Sequence, residues 1–294
     1  MIMRHHPSEK LDPSSARQQS EHKSFGAFPP NHVQRLIIRV GRRLPNNWIG
    51  KRLAAWSRSF AKRVATGPVD VEVLGVRMRL HLNNNASERR LFVTPQLFDP
   101  NDLATLASKI SSDFSFVDLG ANVGTYALQV ARLAGSTAKI LAVEPHPIAA
   151  QRLRVNVALN GYNIEVAQAA VADFDGWLEL AVDTNNIGSS TVRVGQSVRD
   201  SSERTMVRAC TLHRLVQLHN FRRIDAMKVD IEGAEYRAVL PFLATAPRNL
   251  QPNLIFLSPH IPSEKGRILS ELAALGWRLI SGRKMDRCVL QRVD

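Results

Sequence analysis

The stretch Phe116-Val-Asp-Leu-Gly-Ala-Asn-Val-Gly-Thr-Tyr126 runs from an apolar segment into an acid and two spaced glycines. Such a run reads as a buried strand, a glycine turn and the start of a helix, the layout with which α/β proteins hold a nucleotide. Gly120 and Gly124 stand four apart, so the G-x-G-x-x-G spacing of a dinucleotide loop is absent. Asp118 precedes the turn, where a carboxylate would repel a pyrophosphate but suits a cationic or hydroxyl-bearing ligand. The stretch therefore points to S-adenosylmethionine rather than NAD.

Two further acids follow predicted strands, Glu144 after the second and Asp173 soon after the third. In parallel α/β sheets, ligands bind beyond the carboxyl ends of the strands. Glu144 lies 20 residues past Gly124, the separation at which an acid reaches ribose hydroxyls and can accept from both. Asp173 could accept from an adenine amino group. Gly120 permits close backbone approach, Gly124 lets the first helix pack tightly on its strand, and Asn122 offers both donor and acceptor.

A second constellation is Lys228-Val-Asp-Ile-Glu-Gly-Ala-Glu235. Alternation along an extended segment puts Lys228 and Asp230 on one face, and Glu232 follows before Gly233 turns the chain into a helix. An ammonium and a carboxylate over the pocket could orient or deprotonate a hydroxyl. The plainer alternative is a Lys–Asp ion pair and a helix start decorated with acids, which the helix dipole favours.

These residues need a scaffold, and the chain supplies an alternating one. Strands are expected at Ser115–Leu119, Lys139–Val143, 164–168, Ala226–Val229, Leu254–Leu257 and Trp277–Ser281. Helices are expected between them at 123–133, 147–159, 234–243 and 263–275. This alternation predicts an α/β fold, a mostly parallel sheet with helices on both faces, closed by an antiparallel hairpin at the C-terminus. A lead-in of β-hairpin (69–73 and 76–80) and helix occupies residues 67–110. A β-rich insertion over about 177–211, with strands at 177–182, 190–194 and 204–211, interrupts the rhythm and could frame a substrate pocket.

The composition separates this body from its N-terminus. The net charge is +13, yet residues 1–66 alone hold 13 Lys/Arg against Glu9, Asp12 and Glu21. Residues 1–30, polar and without an apolar signal core, are expected to be a disordered tail. Residues 31–66 predict two basic amphipathic helices. Val33, Leu36, Ile37, Val40 and Leu44 recur on the first, and Ile49, Leu53, Trp56, Phe60 and Val64 on the second, with Pro45 between them. Three readings fit: a solvated helical cap on the domain, contact with an anionic membrane surface, or approach to nucleic acid. No run approaches the ~20 apolar residues that span a bilayer. Cys210 and Cys288 lack partners at zinc-like spacing and read as buried thiols of a reducing cytoplasm.

Asp118-Leu-Gly-Ala-Asn-Val-Gly124, Glu144-Pro145, the Asn156/Asn160 pair, Asp173 with Gly176, and the Lys228–Glu235 segment together resemble the FkbM family of S-adenosylmethionine-dependent methyltransferases. The resemblance covers roughly residues 66–290. It implies a Rossmann-like class I methyltransferase domain over 67–294 with a seven-stranded sheet, and methyl transfer, usually to a hydroxyl of a sugar or other small molecule. It also implies that Asp118, Gly120, Asn122, Gly124, Glu144 and Asp173 line the cofactor site, with Asp230 and Glu232 facing the acceptor.

One departure stands out. Such proteins often carry an acid and then His after the fifth strand, whereas this chain has Leu257-Ser-Pro-His260, so no acid–His pair is expected there. An aliphatic hydroxyl needs a base, for which Asp230 is the first candidate and His260 the second. No further oxygen or nitrogen ligands join Asp230 and Glu232, so a metal-independent enzyme is expected. The expected setting is the cytoplasm, to which the membrane reading of residues 31–66 would add peripheral contact with the inner membrane surface. The acidic Lys228-Val-Asp-Ile-Glu segment offers no ring to stack a flipped base, which argues against a nucleic-acid partner. An RNA 2′-hydroxyl acceptor remains the alternative enzyme reading, and a non-catalytic membrane-associated module the alternative outside enzymes.

Overall fold

The computed structural model describes residues 23–189, 191–192, 203–231, 233–282 and 287–293. Two helices, α1 (His32–Gly41) and α2 (Trp48–Arg63), come first. A hairpin of β1 (Pro68–Val73) and β2 (Val76–His81) then leads through α3 (Ala86–Val93) and α4 (Pro100–Ala107). The alternating body begins with β3 (Ser115–Leu119), α5 (Thr125–Ala134), β4 (Lys139–Val143), α6 (Pro147–Asn160) and β5 (Glu165–Ala167). A small second sheet follows, made of β6 (Ala170–Ala172), β7 (Gly176–Val182), β8 (Thr191–Val192) and β9 (Glu203–Thr211). The chain returns through α7 (Leu212–Leu218), β10 (Ala226–Val229), α8 (Glu235–Thr245), β11 (Leu254–Leu257) and α9 (Pro262–Ala274). It closes on the hairpin β12 (Trp277–Ser281) and β13 (Cys288–Arg292).

The main sheet has seven strands in the order β12-β13-β11-β10-β3-β4-β5. From β11 to β5 each neighbouring pair is parallel, and β13 runs antiparallel to both β11 and β12. Side chains alternate strictly between its two faces. Phe116, Ile140, Ala226, Leu254 and Phe256 enter one core with the hairpin and α5. Val117, Leu119, Leu141, Val143, Met227, Val229 and Ile255 enter the other with α7, α8 and α9. Strands buried on both faces must be continuously apolar, so a charged residue inside one is conspicuous. Asp118 and Lys228, paired in register on adjacent strands, are those residues.

Polar side chains tie the lead-in to this body. The Asn156 amide accepts from Arg79 N at 2.8 Å and donates to Val123 O, while Asn160 bonds both backbone groups of Arg77. The Asn pair thus occupies backbone groups of β2 that would otherwise be orphaned. Residues 1–22 of the expected tail lie outside the described residues, but 23–30 depart from that expectation. Arg79 and Asp70 form a buried ion pair, and the segment wraps it. Gly26 N and Phe28 N donate to Asp70, and Arg79 donates to the carbonyls of Lys23 and Ser24. A buried charge pair needs its remaining hydrogen-bonding capacity filled, and this backbone fills it.

Two helices escape the sequence pattern, α3 and α7. Both are too short for a clear apolar period, and each is started by a cap, Asn85 accepting from Ser87 N and Glu88 N, and Thr211 accepting from Arg214 N. In the insertion only Thr191–Val192 of the strand expected at 190–194 is described.

Candidate active site

The turn after β3 is built around two left-handed glycines. Gly120 has φ +73°, and Gly124, with φ +91°, opens α5. A Cβ on Gly124 would stand 2.3 Å from Leu153 Cδ1, so this glycine lets the turn pack on α6 rather than on its own strand. Gly120 and Ala121 both donate to Val143 O, which docks the loop on the end of β4. Asn122, also left-handed at φ +51°, donates its backbone N–H to Glu144 Oε2 at 2.8 Å. Its side chain accepts from Asn85.

Glu144 sits at the end of β4 and wall of the cleft, where His146 N also donates to it at 2.9 Å. Burial outweighs these hydrogen bonds and pushes its carboxyl up to about 7. His146 caps α6 through Nδ1, and burial lowers its imidazole to about 4. Asp118 lies beneath the loop, 1% exposed, accepting from Ala127 N in the first turn of α5. Burial raises its carboxyl despite the Lys228 ammonium at 3.5 Å.

Lys228 joins the two halves of the site. It is buried, donates to Gly120 O at 3.0 Å and contacts Asp118 and Asp230 at 3.5 and 3.3 Å. Burial opposes its charge, but the Asp230 and Asp118 carboxylates prevail and hold the ammonium above its usual range. The Lys–Asp ion pair is therefore real, and it fastens the glycine loop to β10.

Around Asp230 the side chains of Lys228, Arg287 and His260 converge. Besides Lys228, Arg287 donates to Oδ2 at 3.1 Å, and His260 Nε2 lies 3.5 Å from Oδ1. Arg287 also pairs with Asp99 and reaches the Tyr126 hydroxyl at 3.4 Å. Burial and the nearby Arg90 charge lower Arg287 to about 10, so it stays charged at neutral pH. His260 does have a carboxylate partner, contrary to expectation. The acid missing at Ser258 is supplied from the first turn of α8, where Glu235 Oε1 meets His260 Nδ1 at 2.9 Å. A carboxylate only accepts, so Nδ1 donates its proton to Glu235, and Nε2 faces Asp230.

Gly120, Asn122, Glu144, Lys228, Asp230 and His260 thus line one cleft of about 200 Å³. Asp173 is not in its lining. It is partly exposed and paired with Arg237 at 2.9 Å, and Ala169, Ala170 and Val171 occupy that wall instead. Glu232 lies outside the described residues. Sequence reasoning missed Tyr126 and Arg287 as site residues and, while placing Glu235 at the same sheet edge, gave it no role. Tyr126 and Glu235 stand inside the two motifs and could have been read there, whereas Arg287 carries no local signal. Among the described residues no group of three or more His, Cys, Asp and Glu could hold a metal ion.

A doubly covered sheet of this strand order, with a glycine loop and a buried acid at the carboxyl ends of β3 and β4, defines a Rossmann-like methyltransferase. The family described as "Methyltransferase FkbM domain" matches residues 118–279, and the chain belongs to this family. A curated relative, methyltransferase sdnD of Sordaria araneosa, is 28% identical over a region covering 48% of this chain and 73% of that protein. Among solved structures, precorrin-6y C5,15-methyltransferase from Geobacter metallireducens is 11% identical with a TM-score of 0.43, covering 67% of this chain and 90% of that one. The tRNA (uracil-54, C5)-methyltransferase of Pyrococcus abyssi, in complex with S-adenosyl-L-homocysteine, is 13% identical with a TM-score of 0.41. That match covers 77% of this chain but only 43% of the tRNA enzyme.

Membership of this family makes the protein a methyltransferase, and the family's methyl donor is S-adenosylmethionine. The cleft suits this cofactor. A Cβ at Gly120 would be blocked, leaving bare backbone at the loop, and the Glu144 carboxylate stands at the separation from Gly124 that suits a ribose.

Proposed function

We propose that the protein methylates a hydroxyl oxygen of a sugar, glycan or other small-molecule acceptor. The observation that carries this reading is the Glu235–His260–Asp230 array in the same cleft as Glu144. Bound S-adenosylmethionine supplies a methyl group on a sulfonium, an electrophile that needs only an aligned nucleophile. In this reading Glu144 and the Gly120–Asn122 backbone hold the donor's ribose side. His260, its Nδ1 proton fixed by Glu235, takes the acceptor's proton at Nε2. Asp230 then stabilises the imidazolium and orients the acceptor, a role that suits a carboxylate already surrounded by Lys228 and Arg287.

The two buried cysteines, not joined to each other, support a reducing, cytoplasmic setting. No helix among the described residues is long and apolar enough to cross a membrane.

The test compares metabolites of a deletion strain with those of strains restored by the parent protein, Asp230→Asn or His260→Gln, by untargeted mass spectrometry. The expected result is a compound lacking one O-methyl group, restored by the parent and not by either variant. Both purified variants should bind S-adenosylmethionine with parental affinity in calorimetry. A methyl group found on nitrogen or carbon, or full restoration by both variants, would overturn the reading.

A further inference from the structure

An amphipathic helix of a folded protein normally turns its apolar stripe toward the core. The two N-terminal helices do so mainly through Ile37 of α1. Val33, Leu36 and Val40 follow helical spacing along α1, and Ile49, Leu53, Trp56 and Phe60 along α2, yet all seven are exposed. Trp48 and Trp56 are 69% and 77% exposed. On α1 the buried side chains are Gln34 and Ile37, with Ile38 packed against the core, and the rest of what the two helices bury is small. Gly41 lies against the backbone of Val93, Gly50 against that of Pro45, and Ala54 and Ala61 are fully enclosed. Close approach through small residues anchors the pair to the domain, and Gln96 adds hydrogen bonds to Gly41 O and Leu44 O. Apart from Ile37 and the partly buried Ile38, the large apolar side chains are left in solvent.

The charge around them has one sign. Residues 31–66 contain nine Lys/Arg and no acid. A second copy of this face would meet it with like charge, whereas a layer of anionic headgroups over hydrocarbon complements both features. Tryptophan is the residue that favours that interface.

We propose that α1 and α2 seat the protein on an anionic phospholipid bilayer, with Trp48, Leu53 and Trp56 entering the interface and the basic residues meeting the headgroups. A groove of about 1080 Å³ connects this face to the chemistry. At one end it shares Ser87, Arg90 and Arg287 with the methyl-transfer cleft, and at the other it is flanked by Lys51 and Arg58 of α2. Burial and the adjacent Arg90 and Arg89 charges lower the Arg58 guanidinium, while Asp99 in the groove already pairs with Arg90 and Arg287. The acceptor is then a lipid-borne hydroxyl compound with an anionic headgroup, drawn along the groove from the bilayer. This last step rests on the hydroxyl-methylation reading; the docking does not.

Vesicle flotation of the full chain tests it, with phosphatidylcholine alone against phosphatidylcholine mixed with phosphatidylglycerol. The parent should float with the mixed vesicles only. The Leu53→Ser/Trp56→Ser double variant should lose about tenfold or more in partition coefficient, as expected from removing buried apolar area. Molar salt should weaken binding by screening the headgroup contacts, since the Debye length falls to about 3 Å. Both replaced residues are exposed, and unchanged circular dichroism and cofactor binding verify the fold. Equal flotation on neutral and anionic vesicles, or equal flotation of parent and variant, overturns the proposal. So does RNA retention or self-association, abolished by the same substitutions, in a protein that binds no vesicle. Flotation reads no methyl transfer, so its failure is separable from failure of the proposed reaction.

Discussion

Gly120 approaches Asp230 so closely that a Cβ built on the glycine would stand 1.9 Å from the Asp230 carbonyl oxygen. The glycine loop after β3 and the chain at the end of β10 are therefore in backbone contact. Lys228 reinforces the junction by donating to Gly120 O while contacting Asp230. In the proposed reaction one shared piece of backbone would set both donor and acceptor positions, which is what an in-line transfer requires.

Gly120→Ala should separate these halves. It faces both a blocked Cβ and a φ of +73°, so a stability loss of about 1–3 kcal/mol is expected, with about tenfold or greater loss of S-adenosylmethionine affinity. Chemical denaturation and calorimetry measure the two effects. Gly67→Ala, where a Cβ meets nothing within 4 Å, should change neither. Parental affinity in Gly120→Ala would sink the role assigned to the loop.

Glu144 makes stability depend on pH in a definite direction. Its carboxyl moves from 4.5 to about 7 on folding, chiefly by burial. Between those values the folded protein keeps a proton that the unfolded chain has lost, so stability falls as pH rises from about 4.5 to about 7 and then levels. The fall from this group alone is about 3 kcal/mol. Glu88, buried and likewise raised to about 7, contributes its own share in parent and variant alike. The Glu144→Gln variant should therefore gain on the parent across that window in urea denaturation without cofactor. A constant difference between the two would refute the assignment.

Glu235→Gln should act through His260. Loss of the carboxylate at Nδ1 lowers the imidazole pKa relative to the parent and loosens its tautomer. The His260 titration, followed by NMR, should move to lower pH, and turnover should drop about tenfold once the acceptor is known. Glu235→Asp, which keeps the charge, should recover part of both. A titration that stays in place would mean that Glu235 only caps its helix.

Much of the body was legible because its signals are local. Strands buried on both faces are short apolar runs, and the acids after β3 and β4 and the signature after β10 lie within a few residues of those runs. The terminal hairpin was readable for the same reason. Asp173 misled because its place past the third strand says nothing of where its side chain settles, and Arg237 of α8 draws it outward. The Glu235–His260 pair bridges 25 residues, and Arg287 reaches Asp230 across 57. Neither separation corresponds to any repeat of strand or helix.

The sequence by itself determined the alternating fold, the glycine turn, Glu144 and the Asp230 segment, because backbone periodicity and turn chemistry act over a few residues. Only the tertiary structure decided which groups surround Asp230 and which acid serves His260. It also decided that the apolar stripes of α1 and α2 face outward. Helical spacing shows that a stripe exists, but its direction depends on what lies behind the helix. Here Gln34 and Ile37 together with the small residues Gly41, Gly50, Ala54 and Ala61 took the inner position.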